Sequence, residues 1–266
     1  MSGLATEQNW FGAFDIPIGG SGQWRVGPLE LLIEHAPGEW RVGQLQHRDG
    51  GDDTAQVRIE PLVAADSSLK FDRYIVSDPG PQLTVLPLLP DRSVITRPVS
   101  PVYVPSNEAV RLYVSMPVWL RLAVGQAHKV LAELPSQRLS DTWFGPNTRE
   151  GELCYALRSR CRLALDEDEV QQHRAVTPVR IRNRSMETLV LERLKVPVRQ
   201  LSLFAGADGR LWTSELALDR TDDGHSVALH VEVGPPPEAR GAASVAGPRE
   251  AASKKTAMRA FSALFQ

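Results

Sequence analysis

RLYVSMPVWLRLAV, residues 111–124, sets the period on which the fold is read. Its even positions are Leu112, Val114, Met116, Val118, Leu120, Leu122 and Val124. Its odd positions include Arg111, Tyr113, Ser115, Trp119 and Arg121. A period of two belongs to a strand with one buried and one wetted face. Pro117 has no amide hydrogen to give a ladder, so it predicts a bulge, an edge strand or two shorter strands.

Outward from that stretch, short apolar runs recur, punctuated by 20 prolines and 20 glycines. Residues 24–26, 29–33, 40–45, 56–62, 69–76, 83–88 and 93–97 read as strands on the N-terminal side. Residues 153–165, 179–184, 189–198, 200–204, 210–218 and 226–233 read so on the other. Asp208-Gly209 and Asp223-Gly224 lie between apolar runs, where Asp-Gly signals a hairpin. Regular short strands with turns predict an all-β protein of two sandwich-like halves, Ig-like or jelly-roll-like. The expected division is 1–100 and 101–236, with the break in the proline-rich TRPVSPVYVPS, residues 96–106. WRVG occurs at Trp24 and again at Trp40, which is too short to make a repeat.

Gly234-Pro235-Pro236-Pro237 closes the β region, and residues 237–247 read as a flexible linker. PREAASKKTAMRAFSALFQ, residues 248–266, reads as an amphipathic helix. Pro248 falls in its first turn, and Ala257, Met258, Phe261, Leu264 and Phe265 share one face. A helix of this length is marginal alone, so that face is expected on the parent sheet, in a partner's groove or on an anionic membrane surface.

Composition narrows the function. With 30 basic against 32 acidic residues the chain lacks the basic excess of a nucleic-acid binder. No run of about 18 apolar residues occurs, which predicts no membrane span. The N-terminus has no basic-then-apolar leader pattern. If Leu153–Leu165 is one strand, Cys154 and Cys161 lie roughly 23 Å apart, far beyond the ~7 Å of a disulfide. Free thiols fit a reducing compartment, so a cytoplasmic location is expected. The same strand directs Cys161 to the core and Cys154 to the polar side.

No HExxH, CxxC, GxSxG, P-loop or GxGxxG occurs, and the six histidines show no metal spacing, so neither a metal nor a cofactor is expected. Gly19, Gly20 and Gly22 read as a flexible turn before a strand. Asp166–Glu169 reads as a solvated turn. Two arginine rows stand out. Arg158, Arg160 and Arg162 line one face of a strand, and Arg180, Arg182 and Arg184 line another. Were the strands neighbours, six guanidiniums could hold an anionic ligand. The plainer alternative is a salt-bridged or solvated face, since 25 of the 30 cations are arginine anyway. Trp143 and Phe144, in SDTWFG, are aromatics of a loop that could stack on a ligand or plug one end of a sandwich.

The segments SDTWFG, GELCYALRSR, TPVRIRNRS, LVLERLKVPV, LSLF and GRLWT resemble the uncharacterised prokaryotic family "domain of unknown function 432". The resemblance spans roughly residues 20–235 and is densest over 139–212. It implies no activity and no catalytic residues. It does imply a bacterial protein with a membrane-protein partner, through an association of the family with small mechanosensitive channels. These observations together predict a non-catalytic binding or regulatory module acting through a protein partner. Met258, Phe261, Leu264 and Phe265 would form its contact. Two alternatives are a sandwich binding a sugar or anionic small molecule, and a hydrolase whose site assembles in three dimensions around Asp141 and His173.

Overall fold

A computed structural model gives the fold; it describes residues 9–47, 55–61, 69–77, 80–145, 149–165, 170–223, 226–251, 257–260 and 265. The protein is all-β, with several sheets. The chain forms two compact units. One comprises residues 1–88, 118–138 and 171–173; the other comprises 89–117, 139–170 and 174–266. The proline-rich stretch 96–106 lies within the second unit. The chain passes from the second unit to the first at Pro117, where the stretch read above divides into strands Ala109–Pro117 and Trp119–Val124. All seven even positions from Leu112 to Val124 are buried, but Trp119 and Ala123 are buried too, so the wetted face holds in Ala109–Pro117 and not in Trp119–Val124.

The first unit holds two antiparallel sheets. In the five-stranded sheet the order is Ala55–Pro61, Gly20–Val26, Leu29–Ala36, Glu39–Gln46, Phe71–Ile75. In the four-stranded sheet it is Gly12–Asp15, Gln82–Leu88, Trp119–Val124, Lys129–Pro135. Phe14 of one meets Trp24 of the other edge to face, with centroids 5.3 Å apart. The two WRVG tryptophans, Trp24 and Trp40, are both fully buried. Gly20 and Gly22 are strand residues rather than the expected turn. A Cβ on Gly22 would stand 2.4 Å from the Trp24 ring, so glycine there makes room for the indole. Gly19, with φ +82°, supplies the turn before them.

The second unit carries an eight-stranded sheet. Its order is Ala243–Ala246, Leu203–Ala205, Leu211–Thr213, Arg174–Asn183, Leu216–Arg220, Ser226–Val231, Ala257–Ala260, and Ala109–Pro117 also pairs with Arg174–Asn183. A four-stranded mixed sheet runs Ser140–Phe144, Glu152–Ala156, Val94–Thr96, Leu194–Val196. Val102–Val104 pairs with Leu189–Leu191.

Four expectations are corrected. The C-terminal amphipathic helix is not seen among the described residues. Ala257–Ala260 is instead a strand, antiparallel to Ser226–Val231, and Phe265 forms a bridge with Leu194. A short isolated helix is marginal, whereas a sheet edge satisfies the same backbone groups at once, so tertiary pairing overrides local propensity. The linker is likewise structured, as a 3-10 turn Pro237–Ala239 and strand Ala243–Ala246, which pairs with Leu203–Ala205. Leu153–Leu165 is not one strand. The strand is Glu152–Ala156, and the chain beyond it turns through Arg158 and Ser159. Cys154 does not face solvent: it is fully buried with Ile95 and Phe144, while Cys161 is buried as expected, and both thiols are free. The acidic run 166–169 lies outside the described residues.

Candidate anion-binding site

Val94–Thr96 is the organising element. Its neighbours are Glu152–Ala156, parallel on one side, and Leu194–Val196, antiparallel on the other. Beyond Ala156 the ladder continues without strand geometry. Leu157 N–H donates to Ile95 O and Cys161 N–H to Arg97 O, both at 2.9 Å. The turn 157–161 is thereby held alongside Arg97. On the opposite side Leu194 pairs with Thr96 and Lys195 with Ile95, so the register carried one step further sets Arg193 beside Arg97. Three chain segments thus deliver Arg97, Arg158, Arg160 and Arg193 to one place.

They line a cavity of about 140 Å³, together with Thr142, Ser159, Ile95, Ala156 and Leu157. Arg97, Arg158 and Arg160 are exposed at its mouth and Arg193 is half-buried. No acid is among the described lining residues. Arg160 donates to Val99 O at 2.7 Å. Arg193 lies over the Phe144 ring, 5.4 Å from its centroid.

The turn that carries two of these arginines is tied from below by Ser159. Its hydroxyl donates to Ser115 O at 2.7 Å and accepts from Arg174 Nη2 at 2.8 Å, while its carbonyl accepts from Thr96 Oγ1 at 3.3 Å. Arg174 is almost fully buried, and its Nε and Nη2 also donate to Ser115 Oγ and O. Ser159 therefore spends its proton inside the protein. Thr142 is the other lining hydroxyl.

The arginine rows of the sequence reading separate here. Arg158 and Arg160 line the cavity. Arg162 is exposed, its backbone bridging Tyr113. Arg180 and Arg184 lie on the large sheet and are paired with acids: Arg180 with Glu215 at 3.1 Å and Glu232 at 3.5 Å, Arg184 with Asp219 at 3.4 Å. Arg182 is exposed on that same strand. Phe144 is buried behind the cavity and Trp143, on the other face of its strand, is half-exposed; neither lines it. Asp141 pairs with Arg92 at 3.0 Å. His173 is buried and belongs to the other unit, its ring packed where a Cβ on Gly27 would stand. Of the expected partner contacts, Met258 lies in the added strand, Phe261 and Leu264 fall outside the described residues, and Phe265 is buried.

Arg97, Arg193, Thr142 and Ser159 escaped the sequence reading. Arg97 sat in a stretch read as a domain break and Arg193 in a run read as strand. Only pairing with Val94–Thr96 joins them to the turn, and pairing of distant segments has no local signal.

A second cavity, about 360 Å³, is lined by Arg92, Lys195 and Arg199 but also by Glu152 and Glu250. There Lys195 pairs with Glu152 at 3.2 Å and Arg199 with Glu250 at 2.8 Å. Burial works to raise the Glu152 carboxyl, but hydrogen bonding from Ser93 and the nearby Lys195 hold it below its ordinary value. Its cations are already compensated.

Among the described residues no helix is long and apolar enough to cross a membrane. The family described as "Protein of unknown function (DUF432)" matches residues 10–266. No curated protein and no solved structure matches the chain.

Proposed function

We propose that this chain, which belongs to the DUF432 family, is a non-catalytic binding module that holds an anionic group in its arginine cavity. One observation carries the reading: the cavity gathers guanidiniums with no acid in its described lining. Guanidiniums stay charged at any physiological pH, and each offers planar donors that match carboxylate and phosphate. Arg97 and Arg158 form no ion pair with a described residue, and like charges so gathered repel, so an anion bound there gains both Coulomb attraction and charge-assisted hydrogen bonds.

The test is thermal unfolding in phosphate, citrate or acetate at constant ionic strength. A bound anion stabilises by mass action, about 2.7 kcal/mol at one hundred times its Kd. The melting temperature should rise with at least one of them, and the rise should vanish in the Arg97→Ala, Arg158→Ala double variant. Identical melting in every anion would overturn the reading.

A protein partner has a separate support. Tyr103 and Val190 oppose each other on the two-stranded sheet and are 66% and 39% exposed, with Met186 at 84%. Exposed apolar groups brought together favour contact with another protein. Tyr103→Glu should abolish any complex formed through that face.

A further inference from the structure

We infer that the arginine cavity receives the phosphoryl end of a small phosphorylated molecule, whose body remains outside; this rests on the anion-binding reading above. Three observations select that class.

Charge comes first. Arg97, Arg158 and Arg160 stand at the mouth, and neither Arg97 nor Arg158 forms an ion pair with a described residue. A monocarboxylate brings one negative charge, whereas a phosphomonoester carries about −1.5 to −2 at neutral pH. The donor count agrees. A carboxylate offers two oxygens on one edge, which suit one or two forks. A phosphoryl group presents three terminal oxygens around a tetrahedron and can meet forks arriving from different directions. Here they arrive from three segments: the end of Val94–Thr96, the turn after Ala156, and the residue before Leu194.

Size and lining exclude larger ligands. About 140 Å³ is well below the ~300–1,000 Å³ of pockets that enclose a whole metabolite. Ile95, Ala156 and Leu157 supply the only apolar lining among the described residues. No aromatic ring is among the described lining residues, so they offer no stacking platform for a nucleobase. The cavity fits a headgroup, and its exposed rim leaves the remainder of the ligand in solvent.

Phe144 acts as a positioning residue in this arrangement. Its buried ring lies under Arg193 at 5.4 Å and under Lys195 at 5.7 Å, so it fixes one wall of the cavity from behind.

The experiment is isothermal titration of the full chain with acetate, succinate, inorganic phosphate and glycerol 3-phosphate, and co-sedimentation with vesicles containing phosphatidic acid. The inference expects glycerol 3-phosphate to bind at least about tenfold more tightly than succinate, with acetate weaker still. Arg158→Lys retains the charge and removes the fork, and should lose about tenfold in affinity while leaving the fold intact. Arg182→Ala, on the large sheet, should change nothing. Succinate binding as tightly as glycerol 3-phosphate would overturn the phosphoryl assignment and leave the anion reading standing. Capture by vesicles with no binding of the soluble phosphates would make the site a membrane contact and overturn the small-molecule assignment. If none of these anions binds, both readings fall.

Discussion

The second unit has two arginine clusters built on opposite principles. On the large sheet Arg111 and Arg180 are cross-strand neighbours, and both converge on Glu215, one on each carboxylate oxygen. Arg111 also pairs with Glu238 at 2.8 Å, an oxygen that Tyr113 shares as donor at 2.8 Å, and Arg180 reaches Glu232. Both of these arginines have their acids. At the end of Val94–Thr96, Arg160 donates to the Val99 carbonyl and Arg193 lies over the Phe144 ring, and no acid is among the described residues that line the space between the guanidiniums. The same residue type thus does two jobs. Arginines paired with acids fasten strands, and guanidiniums gathered with no acid in their described lining are the basis of the anion site proposed above. Counting arginines on strands cannot tell the two apart, since only the position of the acids does.

The comparison breaks most sharply at Glu215. It is almost fully buried, while its two arginines are about one-third exposed. Removing one member of a buried pair leaves charge uncompensated, at roughly 3–5 kcal/mol when both are buried. Solvent screening of the arginines lowers that, so Glu215→Ala should destabilise by roughly 2–3 kcal/mol in urea denaturation. Anion affinity at the cavity should stay unchanged. A loss below about 0.5 kcal/mol would mean that the large-sheet network is ornamental.

Ser159→Ala probes the other cluster without touching its charge. The buried Arg174 guanidinium loses an acceptor and the 157–161 turn loses its tie to Ser115. The expected loss of stability is about 1–2 kcal/mol, accompanied by weaker anion binding although all four arginines remain. Unchanged affinity would show that the turn holds its geometry without the hydroxyl.

Alkaline pH separates the clusters by a smaller margin. Burial, and then the hydrogen bond to Glu238, raise the Tyr113 hydroxyl above its ordinary value. A group raised in the fold contributes stability that is complete below its unfolded pKa, about 10 for tyrosine. That contribution is lost as pH rises through the higher folded value. Cys154 and Cys161, which burial pushes up to about 12 and about 11, titrate in the same range. A comparison of wild type with Tyr113→Phe isolates the tyrosine. The variant should lose stability less steeply above pH 10, and parallel curves would remove Tyr113 from the network.

What the sequence revealed follows the same division between local and non-local pattern. The buried row from Leu112 to Val124 is local, and so was the effect of Pro117; both were legible, whereas the burial of Trp119 and Ala123 on the other face was not. The strand Ala257–Ala260 was not, because its apolar spacing also suits a helix and the deciding factor was a vacant edge on Ser226–Val231. Arg158 and Arg160 were singled out on the wrong geometry, as one strand face rather than a turn that lines a cavity. Arg97 and Arg193 come from segments about 60 and 35 residues away from that turn, and parallel and antiparallel pairing to one three-residue strand is what joins them.

The smallest expected effect is also the most discriminating. An arginine kept for the fold costs stability when removed; one kept for a ligand does not. Arg158 is exposed and makes no ion pair with a described residue, so Arg158→Ala removes little packing and relieves repulsion from Arg97 and Arg160. Its stability without added anion should lie within about 0.5 kcal/mol of wild type, on the stable side, and the gain should fade as salt shortens the screening length to roughly 3 Å at 1 M. In saturating anion the order reverses, because wild type then gains a binding contribution that the variant lacks. That crossing, read from two denaturation curves with and without anion, distinguishes a ligand site from an ordinary polar surface. A variant less stable than wild type by the same amount in both conditions would place Arg158 with the structural arginines of the large sheet.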